Sequence, residues 1–598
     1  MKHNKIFISF AFILVIASGC KKLLQPEIEN YRNLEESYLP SDARYPYGIL
    51  LNAYNRIPTN SWSFNDVATD DAVTNDKASS FLKMATGQWT ANNNPMNQWD
   101  NCFSAIQYLN ITLLEIKKIT WAGDDVVNKL FAMRITGETY GLRALFMYHL
   151  LQTHGGVSAK SGELLGVPIL LEPQSTTSNF NLPRAKFEDC MKQLYKDLDS
   201  AVALLPLDYG NVASASLIPS KYGSIAPETY NRAFGVTFRG LFTARIADAI
   251  RAKAALLAAS PAFSAGNSTT WADAANYAAA VINSKGGVSG LTAGGTTLFT
   301  NSGITWFYNK AEIDALADGS NPAEILWRTN YSSNGDLEAA NYPPTLYGNG
   351  RINPTQNLVD AFPMANGYPI TNSSSGYDAT KPYTGRDPRL LAFILINGGT
   401  AGPGNTAINT AADGTTNDAL NKVETSTRTG YYMRKLLRQD VNRNPTSINN
   451  QKHYKPHIRY TEIYLDYAEA ANEAWGPTGT GSNTYSAYDV IKAIRARAGV
   501  GTTNGDAYLE AAKADKASMR ELIRNERRLE LCFEGYRFWD LRRWNADITE
   551  VAKGMSIAAG TYSVIQVENR TYQSHMNYGP LPYNEVLKFN ALDQNKGW

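Results

Sequence analysis

The apolar residues of this chain keep a helical period as far as about residue 260, lose it, and recover it after residue 456. Phe103, Ile106, Leu109, Leu113 and Ile116 recur at three- and four-residue steps and mark one helix face. Phe187, Met191, Leu194, Leu198, Val202 and Leu205 mark a second, stopped by Pro206. Residues 137–151 and 245–259 read as two more, the latter ended by Ser260-Pro261. The texture returns at 459–474, 487–498 and 518–534, then past Gly535 at 536–544. Helices joined by shorter polar links favour antiparallel pairs stacked as a solenoid. No self-similar consensus recurs at the ~34-residue period of tetratricopeptide repeats, so the pattern alone does not name that architecture.

Residues 286–456 differ: they are rich in Gly, Asn, Thr and Ser, with short β-compatible stretches at 325–328 and 393–396. Trp306, Tyr308, Trp327, Tyr331, Tyr342 and Tyr347 are scattered through them, which argues against a disordered linker. They read as a long loop-rich insertion of the kind that carries binding residues on a rigid scaffold. Overall, 43% hydrophobic and 19% charged residues suffice for a core. The charge balance, 57 basic against 55 acidic residues, excludes a broad nucleic-acid binder, which needs a concentrated positive excess. Tyrosine, 34 residues, leads the aromatics, and its flat apolar face with a polar tip suits recognition. Four cysteines exclude a disulfide-built scaffold, and Cys102, Cys190 and Cys532 read as small buried hydrophobes.

The first residues carry Lys2 and Lys5, an apolar stretch at 6–17, and Ala17-Ser18-Gly19-Cys20. As a helix that stretch spans about 18 Å, short of a ~30 Å bilayer core, so it reads as a signal peptide and not a membrane span. The tetrapeptide resembles a bacterial lipobox, which implies cleavage before Cys20 and acylation of its thiol. Cleavage removes two lysines and no acid, leaving bases and acids balanced.

Catalytic motifs are scarce. The zinc-binding His-Glu-x-x-His, the phosphate-binding glycine loop and the Gly-x-Ser-x-Gly elbow do not occur. The six histidines read as structural or surface residues. Paired carboxylates are the serious enzymatic alternative, since glycosidases need only two acids at the right separation. Asp70-Asp71 fit capping, loop ordering or a hard cation equally well, and Glu526 and Glu530 alternate with arginines as helix-stabilising pairs do.

That last segment, Arg524-Asn525-Glu526-Arg527-Arg528-Leu529-Glu530-Leu531-Cys532-Phe533-Glu534-Gly535-Tyr536-Arg537-Phe538-Trp539-Asp540-Leu541-Arg542-Arg543-Trp544, closely resembles the C-terminal signature of the RagB/SusD family. Gly137-Glu138 to Gly155-Gly156-Val157, Pro354 to Phe362, Arg386-Asp387-Pro388-Arg389, Arg459 to Ala470 and the terminal Gln594 to Trp598 agree in order. The resemblance implies a mainly α fold: a tetratricopeptide-like scaffold of four helix pairs with the loop-rich insertion and its short strands. The divisions are a lipoprotein signal at 1–19, a lipidated tether at 20–33, an N-terminal helical region at 34–285, the insertion at 286–456 and a C-terminal helical region at 457–598. It also implies a surface lipoprotein of the outer membrane that binds oligosaccharides, with a SusC-like TonB-dependent barrel as partner. A lipid-anchored glycoside hydrolase and a peptide- or protein-binding helical receptor stay open beside that reading.

Sugar rings stack their C–H faces on aromatic planes, and their hydroxyls seek Asn, Asp or Arg. On that ground Asp71, Trp89 and Asn92 are expected to form one wall of the ligand site, and Trp306, Tyr342 and Tyr347 the other. No catalytic residue and no cofactor is called for, although loop carboxylates and carbonyls are compatible with a surface Ca²⁺.

Overall fold

The computed structural model describes residues 43–59, 65–293 and 303–598. The expected signal peptide, tether and lipidation at Cys20 lie outside the described residues.

The fold is mainly α, a scaffold of packed helices carrying long loops and short two-stranded ribbons. Helices α1 (Arg44–Tyr54), α2 (Trp99–Glu115), α3 (Asp125–His154) and α4 (Phe187–Leu204) pack each against the next, apart from an α1 contact that also reaches α3. α5 (Ala244–Ala259) lies on α4, and α6 (Trp271–Ser284), a helix absent from the sequence reading, lies on α5. The apolar seams found at three- and four-residue steps are the buried faces: Ile106, Leu109, Met191, Leu194 and Leu198 are all at most 1% exposed. Side-chain caps set several helix starts; Asp124 accepts the Val127 N–H at 2.9 Å, and Thr270 with Asp273 forms a reciprocal capping box.

α3 runs 30 residues, starting more than three turns before the expected 137–151 and ending less than a turn after it. From Arg134 onward it is buried nearly all round, which charged residues survive only as pairs. Arg134 donates to Glu138 at 2.7 Å, and Arg143 reaches Asp197 at 2.7 Å on α4. Gly141 allows Phe242 to lie directly on the helix backbone, where a Cβ would occupy the ring's place.

Downstream of the insertion come α8 (Tyr460–Trp475), α9 (Ala487–Arg497), α10 (Lys516–Glu530) and α11 (Tyr536–Arg543), with the short α7 (Asp336–Asn341) inside the insertion before them. α8 packs on α6, α9 and α10, closing the scaffold. α10 stops at Glu530, earlier than the expected 534, because the chain turns through left-handed Phe533 (φ 62°) and Gly535 (φ 81°) into α11. This turn lets one short stretch present charges in several directions. Arg389, fully buried, meets Asp387, Glu526 and Glu530; Arg459 meets Glu324 and Glu534; Arg527 meets Asp466 and Asp540. Isolated ions would be costly here, and the shared partners offset that cost.

The insertion is stitched into the scaffold by antiparallel ribbons. β1 (Ala72–Thr74) pairs with β4 (Ile352–Pro354), and β2 (Ile325–Arg328) pairs with β6 (Pro456–Arg459). β3 (Ser332–Asn334) pairs with β5 (Gln451–His453). Trp306, Phe307, Tyr342, Phe393 and Tyr431 form a second core with Leu529, Cys532 and Phe533 of the scaffold. A hairpin of β7 (Ala552–Ala558) and β8 (Thr561–Glu568) follows α11 where the sequence reading had only helical texture. Cys102, Cys190 and Cys532 are buried free thiols. Among the described residues no helix is long and apolar enough to cross a membrane.

Candidate ligand-binding site

Residues 325–334 and 451–459 run antiparallel as one irregular ribbon across the two pairs β2–β6 and β3–β5. Between them the Thr329 N–H donates to the Lys455 carbonyl at 2.9 Å, and the Lys455 N–H donates to Thr329 Oγ1 at 3.0 Å. Polar residues dominate the stretch from Thr329 to Asp336, with low strand propensity, so the ribbon leaves its side chains at the surface. α7 follows immediately and closes the far side. The resulting cleft has a volume of about 410 Å³, within the range of small-ligand sites. Its lining is Thr329, Asn330, Ser332, Asn334, Asp336 and Lys455, with apolar floor from Leu337, Ala340 and Tyr454 and with His453 at its base.

Its hydrogen-bonding groups are partly pre-ordered. Asn334 Nδ2 donates to Ser332 Oγ at 2.8 Å, and Asn334 Oδ1 accepts the Asp336 N–H at 3.2 Å. Burial pushes the Lys455 ammonium below its ordinary value, and the Asp336 charge opposes that shift. Tyr454, under the cleft, donates its hydroxyl to the Trp306 carbonyl at 3.2 Å. Tyr331 stands half-buried beside it, with the Lys452 ammonium 4.5 Å from its ring centre.

The six residues expected to form the site do not meet there. Asp71 is fully buried and accepts from Arg528 Nε at 2.6 Å, while Asp70 takes Arg537 at 2.8 Å and Arg528 at 3.0 Å. The aspartate pair therefore fastens the N-terminal segment onto α10 and α11. Burial pushes Asp71 up and Arg528 opposes it, whereas the two guanidinium groups outweigh burial and hold Asp70 well below the usual carboxylate range. Trp89, only 4% exposed, packs edge-on against Trp598 at 4.8 Å and under the Arg542 guanidinium at 5.3 Å. Its Nε1–H donates to Asn94 Oδ1 at 3.1 Å. Trp306 and Tyr342, at 2% and 1% exposure, belong to the second core, with the Tyr342 hydroxyl donating to the Arg438 carbonyl at 2.6 Å. None of these four offers an open face to a ligand. For Trp306 and Tyr342 the physical reason is that the loop-rich segment fills its own interior with aromatics. Asn92 and Tyr347 are exposed, Tyr347 by 55% in a left-handed backbone conformation (φ 62°).

The sequence reading passed over the cleft residues because short polar side chains in a Gly- and Asn-rich stretch carry no periodic signal. The available cue was Asn334-Gly335-Asp336, a turn signal directly after a strand. His453, read among the structural or surface histidines, is buried and hydrogen-bonded at both ring nitrogens and also lines the cleft. Among the described residues no three His, Cys, Asp or Glu side chains gather to hold a metal ion.

Residues 307–598 match the SusD family, and residues 46–225 match a family described as starch-binding and associating with the outer membrane. The chain belongs to the SusD/RagB family. Two SusD-like proteins of Formosa agariphila resemble this SusD/RagB chain, one at 26% identity over 255 residues (38% of this chain, 42% of the relative). The other is 35% identical over 89 residues (15% and 16%), so each alignment spans less than half of the relative's length. A SusD-like protein from Bacteroides fragilis superposes with a TM-score of 0.70 at 22% identity, covering 95% of this chain and 100% of that one. A SusD-like carbohydrate-binding protein from the same species gives 0.64 at 19% (92% and 98%). Surface glycan-binding protein A from Bacteroides fluxus gives 0.56 at 17% (94% and 100%). These likenesses extend the SusD fold over nearly the whole chain.

Proposed function

We propose that this SusD/RagB protein is a lipid-anchored outer-membrane receptor that captures oligosaccharides and passes them to a SusC-like TonB-dependent barrel. The observation that carries the reading is the cleft, where hydroxyl, amide, carboxylate and ammonium groups converge above an apolar floor. Such a set matches a polyol: each sugar hydroxyl both donates and accepts, so neighbouring acceptors and donors serve it better than a single charge. Tyr347, outside the cleft lining, offers an exposed stacking face on a loop that returns to α7 through the Asn349 N–H and the Ala339 carbonyl at 3.0 Å. The family's starch-binding description and the carbohydrate- and glycan-binding names of two solved relatives support the same ligand class.

The hydrolase alternative has less support. Asp336 is the one carboxylate in the cleft lining, and the adjacent Glu338 turns inward to His453 and the Arg438 N–H. Calorimetric titration with a panel of neutral and acidic hexasaccharides tests the receptor reading. At least one should bind, and Asn334→Ala combined with Asp336→Ala should weaken it at least ~tenfold, the loss of one charged hydrogen bond. Unchanged affinity in the double variant would remove the cleft as the site. Sustained release of reducing ends by the purified protein would favour the hydrolase.

A further inference from the structure

His453 sits at the base of the cleft with an acceptor at each ring nitrogen. Nδ1 lies 2.9 Å from the Gln451 carbonyl oxygen, and Nε2 lies 3.0 Å from Glu338 Oε1. A carbonyl oxygen only accepts, and so does an ionised carboxylate, so both contacts are hydrogen bonds only if both nitrogens carry protons. A neutral ring in either tautomer sets one lone pair against an acceptor. Glu338 Oε1 also accepts the Arg438 N–H at 2.8 Å, which favours the carboxylate over the acid as His453's partner. The geometry therefore selects an imidazolium.

The position of this ion matters more than its charge. His453 is paired with Ser332 across β3–β5, so it belongs to one wall of the cleft. Glu338 belongs to α7, which closes the far side of the cleft with Asp336 and gives its floor Leu337 and Ala340. The His453–Glu338 bond is thus a side-chain tie between the two walls. We propose that His453, as an imidazolium, is the positioning residue of the cleft: it holds the β3–β5 ribbon against α7 and links the cleft's shape to pH. The ligand consequence rests on the receptor reading above, while the tie itself does not.

The surrounding charges are matched. Arg438, which opposes the imidazolium, is itself engaged by Asp440 at 2.8 Å and Asp314 at 3.1 Å. Lys310, on the short helix Lys310–Asp314 that packs on β5, also reaches Asp440, at 3.1 Å, and Glu312 of that helix accepts the Ala323 N–H. Lys452 donates to the Asp314 carbonyl at 3.0 Å, and the cleft adds Asp336 and Lys455. Burial acts against the charged ring, yet the hydrogen bond and charge of Glu338 outweigh it, and the group is raised above its ordinary 6.5. A histidine raised in this way contributes stability that is complete below the unfolded value and lost as pH rises through the folded one. The cleft is therefore best ordered on the mildly acidic side and loosens on the alkaline side.

The test uses the full chain labelled with ¹⁵N-histidine, without ligand. Long-range ¹H–¹⁵N spectra should show one ring, identified by its loss in His453→Gln, protonated at both nitrogens on the acidic side of a midpoint that lies above 6.5. Hydrogen exchange at Ser332–Asn334, corrected for base catalysis, should accelerate through that same midpoint, by up to about tenfold for each unit of elevation. Glu338→Gln should move both transitions down together. A midpoint at or below 6.5, or exchange that ignores the ring's titration, would overturn the proposal. If the ring and exchange behave as expected but no hexasaccharide binds at any pH, the receptor reading fails and the tie stands.

Discussion

Arg527 and Lys455 are both cations on well-ordered parts of one chain, and their surroundings could hardly differ more. Arg527 is 3% exposed and held by Asp466 at 2.6 Å and Asp540 at 3.1 Å, two carboxylates brought in by α8 and α11. Lys455 is half-buried on the rim of a cleft, its backbone bonded to Thr329 and its charge facing Asp336. The scaffold uses polar residues to satisfy one another in the dark; the cleft holds its polar residues where a ligand can reach them. The same contrast separates Asp71 from Asp336. It teaches that residue type says little about use until burial is known, because a buried charge must be paired inside the protein whereas one at the surface can also be met from outside.

Breaking the scaffold side should give the largest effect. Arg389→Met leaves Asp387, Glu526 and Glu530 buried around an apolar side chain, and we expect a loss of ~3–5 kcal/mol in urea denaturation. A loss under about 1 kcal/mol would mean that the network relaxes and that the contrast with the cleft is overdrawn.

The aromatics sharpen the comparison next. Trp89→Ala should cost ~3 kcal/mol or more, as a packed core residue does, whereas Tyr347→Ala should stay within about 0.5 kcal/mol. Equal and small effects at both would restore Trp89 as a ligand platform.

A modest gain is expected at Asp66, buried near Asp71, whose carboxyl is pushed up to about 7 by burial and then by the Asp71 charge. Here the folded state binds its proton more tightly than the unfolded chain does. Stability is thus lost as pH rises from the ordinary carboxylate range toward 7. Asp66→Asn should remove that dependence, gaining of order 1 kcal/mol near pH 8 and nothing near pH 4, read from thermal melts across pH. A gain of the same size at both ends would point to packing instead.

Much of the fold was legible because helices leave a record in the order of residues. Phe187 to Leu205 and the 245–259 run predicted α4 and α5 nearly to the residue, since one face must be apolar and a proline or a cap must end it. α6 went unread because its buried face is mostly alanine, Ala274, Ala275, Ala278 and Ala279, which carries little hydrophobic contrast. Most of the short strands went unread because two or three paired residues set no period, whereas 325–328 was read as β-compatible and the longer β7–β8 hairpin was missed. Of the candidate site, Asn92 and Tyr347 are exposed as expected, while Trp89, Trp306, Tyr342 and Asp71 are interior.

The order of residues by itself determined the helical scaffold, the family and the absence of familiar catalytic motifs, since each rests on local spacing or on contiguous blocks. Tertiary structure alone decided which polar and aromatic groups are spent on the interior and which face a ligand. Thr329, Asp336 and Lys455 converge only because residues 325–334 and 451–459 pair across more than a hundred intervening positions. Such pairing depends on burial and register among distant segments, and no stretch of the chain encodes it locally.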